Sequence, residues 1–341
     1  LTKHKDKISI ITTFYNAEKF IYQCINSVNQ QIIDGFDVEY IIVDDKSQDK
    51  SREIVNHFIK NDGNKLIDFH LIEPEKNLGC GGARKFGIDN ATGDYFMFLD
   101  ADDYWIDYSF LETFVRLAEE KNLDIIRGEY NAVDTIGSEL YRNVINAKKR
   151  KSENIVLNST DFIDSIIQRE FFLPLCLIKH DVIKKLRFNS KRVFLEDLEF
   201  FIHLLLQPLQ CYYTSVRFYA YRKHSLSASN NYNKKRLADA FDISRLYLEL
   251  SLSICDEKLA KSFKARGWDY YWLTLRTIAI EKSLFTNSKS FCKELSLAKL
   301  KRDFSEIIRD INCRYKWLVV LSPYMTICYF RLRYMISKVF K

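Results

Sequence analysis

A chain of 341 residues with 47% hydrophobic content can bury a sizeable core, and 4 prolines and 10 glycines are too few for a linker-rich or low-complexity chain. Its 8 cysteines lie singly at 24, 80, 176, 211, 255, 292, 313 and 328, with no C-x-x-C pair, which argues against a disulfide framework or zinc cluster and fits a reducing compartment. The net charge of +7 suits anionic partners, but the basic runs at 148–151 and 233–236 read as solvated faces, and no nucleic-acid partner is expected.

The polar opening, "LTKHKDK", leads straight into an apolar strand over 8–13, and no signal peptide is expected. Asn16 is a candidate N-cap for a helix whose apolar positions Ile21, Cys24, Ile25 and Val28 recur at helical spacing. "EYIIVDD" (39–45) predicts a second strand, ending in two carboxylates. Asp49 is a candidate cap for the next helix, with Ile54, Val55, Phe58 and Ile59 on its apolar face. Residues 67–72 predict a third strand, 77–91 a glycine-rich turn running into a helix, 94–100 a fourth strand, 107–122 a helix and 123–128 another strand. Further on, 159–170 and 195–207 read as helices and 211–222 as β-structure, and from about 234 the pattern is helical to the end. The polar stretch near 230 is the expected boundary between a domain over 1–230 and a helical region over 231–341 that packs on it.

Strands alternating with helices predict an α/β domain with a largely parallel sheet. Ligands bind such sheets outside the carboxyl ends of the strands. Thr13, Tyr15, Asp44, Asp45, Asp100 and Asp102 all fall at those ends, so separate stretches of chain converge on one rim. "YFMFLDADDYW" (95–105) then sets Asp100, Asp102 and Asp103 directly after a buried strand, where charge is costly unless something cationic neutralises it. The spacing of Asp100 and Asp102 lets two carboxylates face one cleft. Mg²⁺ or Mn²⁺, shared between a carboxylate and substrate phosphates, would supply the missing charge.

Three blocks, "ISIITTFYNAEKFIYQCINSVNQQ", "YIIVDDKSQDKS" and "NLGCGGARKFGIDNATGDYFMFLDADD", together resemble the nucleotide-sugar-binding half of family 2 glycosyltransferases, which have a GT-A fold. The resemblance is close over 7–128 and looser to about 230, through "LEDLEF" and "YRKHSLSAS". Thr13 stands where the family often has Pro, and its hydroxyl also suits a contact with the nucleobase. The resemblance implies an inverting transfer from a UDP-sugar to a saccharide or lipid-linked glycan acceptor, in capsule, lipooligosaccharide or other surface-polysaccharide synthesis. It gives Tyr15 to the uracil ring, Asp45 to the uracil N–H, Arg84 to the nucleotide, Asp100 to the ribose region and Asp102 to a Mn²⁺ or Mg²⁺ ion. Asp103 is left to tune its neighbours or to cap the next helix. The general base is expected within Glu196-Asp197, with Asp197 preferred and Glu196 as the alternative. In the loop "YRKHSLSAS", His224 is a candidate metal ligand or donor to the diphosphate, Arg222 and Lys223 are candidates to offset the charge of leaving UDP, and Ser225 and Ser227 are further polar groups.

Two other classes are weighed against this. A nucleotidyltransferase should show a glycine-rich basic signature near its start, and "TTFYNAEKF" is not that. A non-catalytic glycan- or membrane-binding relative has no need of Asp102 and Asp197. No G-x-S-x-G or Walker sequence is present. The uninterrupted apolar stretch Trp317–Phe330 is 14 residues, short of the about 20 that span a bilayer. With Arg314, Lys316, Arg331, Arg333, Lys338 and Lys341 around it, the tail 314–341 predicts an interfacial helix on anionic membrane, separable from the catalytic domain. The alternative is a buried helical pair, packed on the catalytic domain or joining copies of the chain. The expected setting is cytoplasmic, peripheral at the inner face of the cytoplasmic membrane.

Overall fold

Among the described residues, runs of β-branched and aromatic residues build ten strands, β1 (Lys7–Phe14), β2 (Asp37–Asp44), β3 (Ile67–Ile72), β4 (Tyr95–Phe98), β5 (Tyr104–Trp105), β6 (Ile125–Val133), β7 (Glu139–Arg142), β8 (Val156–Leu157), β9 (Cys176–Lys179) and β10 (Cys211–Arg222). The protein is represented by a computed structural model that describes residues 5–167, 171–184, 186, 188, 189, 192, 194–224, 234–305, 308 and 315–339. The chain divides into two units, 1–192 with 196–225, and 226–341 with 193–195.

The first unit is an α/β domain. Its sheet runs β3-β2-β1-β4-β9-β6-β10-β5, with β7 paired to β6 and β8 to β10. β3, β2, β1 and β4 are mutually parallel, as are β6 and β10, while β9 runs antiparallel between β4 and β6. Covering helices are α1 (Ile21–Asn29), α2 (Ser51–Asn61), α3 (Gly79–Asp89), α4 (Phe110–Lys121), α5 (Ala147–Lys151), α6 (Ser159–Phe162), α7 (His180–Ile183) and α8 (Glu196–Leu205). A sheet covered on both faces needs continuous apolar strands, and Val38 through Val43 are all buried. The register pairs Phe14 with Asp44 and Ile11 with Phe98, which lines up the carboxyl ends of β1, β2 and β4 on one rim. Helix α3 lies so close to the sheet that a Cβ on Gly87 would stand 2.6 Å from Cγ2 of Ile11.

Local differences from the sequence reading have physical causes. Asn16 does not cap α1. It adopts φ 54° and its Oδ1 accepts the N–H of Gln48 at 2.7 Å, tying the β1 loop to the β2 loop. Asp49 accepts the N–H of Ser51 at 3.0 Å from one residue before the N-cap of α2. Asn158 caps α6, accepting the N–H of Asp161 at 2.9 Å, and the helix widens into a π turn over Ile163–Ile167.

The second unit is helical: α9 (Lys234–Ser253), α10 (Glu257–Ile280), α11 (Lys282–Thr286), α12 (Ser288–Glu294), α13 (Leu297–Phe304) and α14 (Pro323–Val339). Its core gathers Phe241, Leu248, Trp268, Tyr271, Trp272 and Leu275. The tail contributes Leu318, Ile327 and Phe330 to the same core, and Arg331 Nη1 donates to the carbonyls of Ala279 and Ile280, at 3.0 and 2.9 Å, at the end of α10. One face of α14 is therefore part of the core of the second unit rather than free along its whole circumference. The side chains of Arg314, Lys316, Lys338 and Lys341 lie outside the described residues, as does the expected boundary near 230. Among the described residues no helix is long and apolar enough to cross a membrane.

Candidate active site

A cleft of about 590 Å³ opens at the carboxyl ends of β1 and β2. Thr13, Tyr15 and Asp45 line it, together with Phe14, Lys46, Gln48, Asn77, Gly79, Cys80 and Ala83. Tyr15 is 53% exposed, with its ring at the surface. Asp45 is buried. Its two oxygens accept the N–H groups of Leu78 (2.7 Å) and Gly79 (2.9 Å), so the carboxylate ties the end of β2 to the start of α3. Burial raises its pKa against these two hydrogen bonds. Its neighbour Asp44 points elsewhere, to the N–H of Ser47 at 2.8 Å and to Arg52 at 3.1 Å. Lys46, in the left-handed region at φ 71°, reaches Glu73 at 3.3 Å.

One turn into α3, Arg84 is 5% exposed and held between two carboxylates. Its Nη2 donates to Asp100 Oδ1 at 2.7 Å and its Nη1 to Glu196 Oε1 at 2.9 Å. The guanidinium thus joins the acidic turn after β4 to the first turn of α8. Gly81 makes the approach possible, since a Cβ there would lie 3.1 Å from Cγ of Glu196 and 3.4 Å from Cβ of Phe188. Beside Glu196 stands half-buried Asp197, whose Oδ1 accepts the N–H of Leu198 at 2.7 Å. Burial and the adjacent Glu196 charge push its carboxyl up to about 7, against the opposing pull of Arg84.

The acidic turn is gripped by the end of β10. Asp103, buried, accepts the Tyr219 hydroxyl and the N–H of Arg222, both at 2.7 Å, and burial drives its pKa well above the usual carboxylate range. Arg222 is 2% exposed. It donates through Nε to the Asp102 carbonyl (2.7 Å), through Nη1 to the Thr135 carbonyl (2.8 Å) and through Nη2 to Gln23 Oε1 (2.7 Å). The rings of Phe20 and Tyr104 lie 4.9 and 5.1 Å from its guanidinium carbon. From the sequence Arg222 is expected to face the leaving group; in the structure it is an internal brace. Lys223 lies over the Tyr141 ring at 4.6 Å. Two residues past Arg222, His224 Nε2 is 2.9 Å from Asp102 Oδ2, and the His224 ring packs 4.8 Å from that of Phe20. The Asp102 carboxyl, 36% exposed, has its pKa raised by burial and by the charge of Asp100, and lowered by His224. Among the described residues no three His, Cys, Asp or Glu side chains gather as a metal cluster. Ser225 and Ser227 lie outside the described residues.

The model of glycosyl transferase family 2 matches residues 9–172, which run from within β1 through β8 and include the acidic turn. An uncharacterised glycosyltransferase of Haemophilus influenzae is 33% identical over 208 residues, 60% of this chain and 73% of that protein. The chain belongs to glycosyltransferase family 2. The family's GT-A fold is the one seen here: the crystal structure of Staphylococcus aureus TarS 1-349 superposes with a TM-score of 0.73 over 97% of this chain and 92% of that one, at 18% identity. TarS 1-349 is also known in complex with UDP and with UDP-GlcNAc. The mannosyltransferase PcManGT of Pyrobaculum calidifontis, in complex with GDP-Man and Mn²⁺, gives a TM-score of 0.53 at 13% identity, over 97% of this chain and 88% of that one. Some relatives are much longer. A teichoic acid poly(glycerol phosphate) polymerase of Staphylococcus epidermidis is 34% identical over 172 residues, 45% of this chain but 22% of that protein.

Within this family 2 enzyme, the residues singled out from sequence fall into three groups: Thr13, Tyr15 and Asp45 at the cleft; Arg84, Asp100, Glu196 and Asp197 around one guanidinium; and Asp102, Arg222 and His224 at the acidic turn. Lys46, Gln48 and Asn77 escape sequence reading. The signal for Asn77 is its place before "LGCGG"; its Nδ2 donates to the Asp45 carbonyl at 2.7 Å.

Proposed function

We propose that this glycosyltransferase moves a sugar from a UDP-sugar to a hydroxyl of a glycan or lipid-linked saccharide, with inversion, in bacterial surface-polysaccharide synthesis. The observation that carries the proposal is the division of labour between adjacent carboxylates. Glu196 is held in an ion pair with Arg84, whereas Asp197 lies outside that pair and has its pKa raised by burial and by the Glu196 charge, the direction a general base working at neutral pH needs. Asp197 takes the proton of the acceptor hydroxyl as its oxygen attacks the anomeric carbon. The bond from that carbon to the diphosphate oxygen breaks, UDP leaves, and the configuration inverts.

Uracil sits in the cleft against Tyr15 and Thr13. Asp45 takes the uracil N–H on a lone pair left over from the N–H groups of Leu78 and Gly79, since an ionised carboxylate offers about four acceptor positions. Arg84 fixes one oxygen of Asp100 and leaves the other for a ribose hydroxyl. Asp102, with His224 hydrogen-bonded to it, would hold a Mn²⁺ or Mg²⁺ ion, and the ion would offset the charge of the diphosphate. The UDP complexes of TarS and the Mn²⁺ complex of PcManGT support these choices by fold likeness. The reaction is placed on the cytoplasmic side of the membrane.

The test is nucleotide release from UDP-, GDP- and CDP-sugars, with Mn²⁺ and with excess EDTA. UDP-sugars should turn over in Mn²⁺ alone. Full turnover in EDTA removes the metal from the scheme, and equal rates for all three nucleotides remove the assignment of the cleft to uracil.

A further inference from the structure

Helix α14 has two unlike faces. Ile327 and Phe330 are core, while Met325 (55%), Leu332 (59%), Met335 (55%) and Ile336 (48%) are exposed. Met325, Leu332 and Ile336 follow one another at spacings of seven and four, a single stripe along the helix. Trp317 and Val320, in the 3-10 turn just before it, are 56% and 81% exposed. From Tyr315 to Lys341 the sequence has no Asp or Glu, against Lys316, Arg331, Arg333, Lys338 and Lys341. Tyr324 at the rim carries Lys289 over its ring at 5.3 Å.

A contiguous exposed apolar patch marks an interaction site, and its charge says for what. A second copy meeting this face in a two-fold interface would bring together two segments that each carry five basic and no acidic residues in sequence, of which Arg333 is exposed on α14. An anionic lipid surface sets opposite charges together and receives the apolar stripe. Seventeen residues give a helix about 26 Å long, which lies along an interface rather than crossing it.

We propose that the Met325–Leu332–Ile336 face of α14, with Trp317 and Val320, docks the enzyme on anionic phospholipid. The inference extends the membrane setting assigned above and is independent of the transfer chemistry. The experiment is co-sedimentation of the full chain with vesicles of phosphatidylcholine alone, or of equal parts phosphatidylcholine and phosphatidylglycerol, across a salt series, with size-exclusion chromatography alongside. The parent chain should pellet with the anionic vesicles, stay in solution with the neutral ones, and be released as salt rises. L332Q/I336Q alters only exposed positions. It should keep the parental melting curve and the parental rate of nucleotide release from a UDP-sugar, yet bind vesicles about tenfold more weakly; R333E should do the same. Indifference to anionic vesicles overturns the proposal. So does equal binding to neutral vesicles, or a dimer that L332Q/I336Q dissociates. If no UDP-sugar is turned over while the vesicle results hold, the donor assignment fails and the docking face stands.

Discussion

Replacing Arg84 with Met removes the charge and keeps most of the side-chain volume, so the effect reads the ion pairs rather than a cavity. Two carboxylates lose their partner. Glu196 is 8% exposed and regains little water, while the Asp100 side chain, at 28%, recovers part of its hydration. Breaking a buried pair costs about 3–5 kcal/mol, and the exposure of Asp100 puts R84M toward the lower end, about 3 kcal/mol. Neutralising Glu196 in the same chain removes the more costly of the two orphaned charges. R84M/E196Q should therefore be more stable than the sum of the single changes predicts, by about 2 kcal/mol. Urea unfolding of parent, both single variants and the double variant measures the cycle, provided their m-values agree. A loss below about 1 kcal/mol for R84M, or additivity within about 0.5 kcal/mol, would refute the account of Arg84 as a buried bridge. The same variant has a kinetic signature. Arg84 holds the Asp197 pKa down, so in R84M the acid limb of the turnover profile should move to higher pH.

Two further predictions follow from the same geometry. D197N should lose turnover by about 10²–10⁴-fold while binding UDP normally by calorimetry, and it should also change stability with a definite sign. The folded pKa near 7 lies above the ordinary 3.8, so ionising Asp197 weakens the native state as pH rises between those values; D197N should melt above the parent at about pH 8, with the gap closing toward pH 4, and parallel melting curves would contradict this. R222Q forfeits three hydrogen bonds of a guanidinium that is 2% exposed, and should lower stability by about 3 kcal/mol or more in the same urea assay. R222K, which keeps the charge without the planar fork, should recover less than half of that loss.

What the sequence made legible was whatever depends on local pattern. Residues 67–72 and 211–222 are strands with the expected bounds, and the glycine-rich turn does open α3, because apolar runs and glycine punctuation report on neighbours within a few residues. The orientation of long charged side chains was not legible. Arg84 and Arg222 both sit beside acidic motifs and both suggested ligand contacts, yet Arg84 bonds partners 112 and 16 positions away, and Arg222 partners 120, 87 and 199 positions away. Nothing local distinguishes an arginine that meets substrate from one that braces the loop that meets it. β9 escaped for a related reason: four residues after a proline carry no period, and their strand state comes from the strands on either side.

β9 also bears on how such a chain comes off the ribosome. β4 and β6 do not pair with each other; β9 pairs with both, through Tyr95–Lys179 and Phe96–Ile178 on one side and Ile125–Ile178 and Arg127–Cys176 on the other. The sheet is an arch whose keystone is made after both flanks. Until residues 176–179 emerge, the flanks present bare hydrogen-bonding edges, the surfaces through which nascent strands aggregate. A fragment stopped at residue 172, where the family match ends, would hold that exposed state permanently, so any expressed version of the catalytic unit has to run beyond β9.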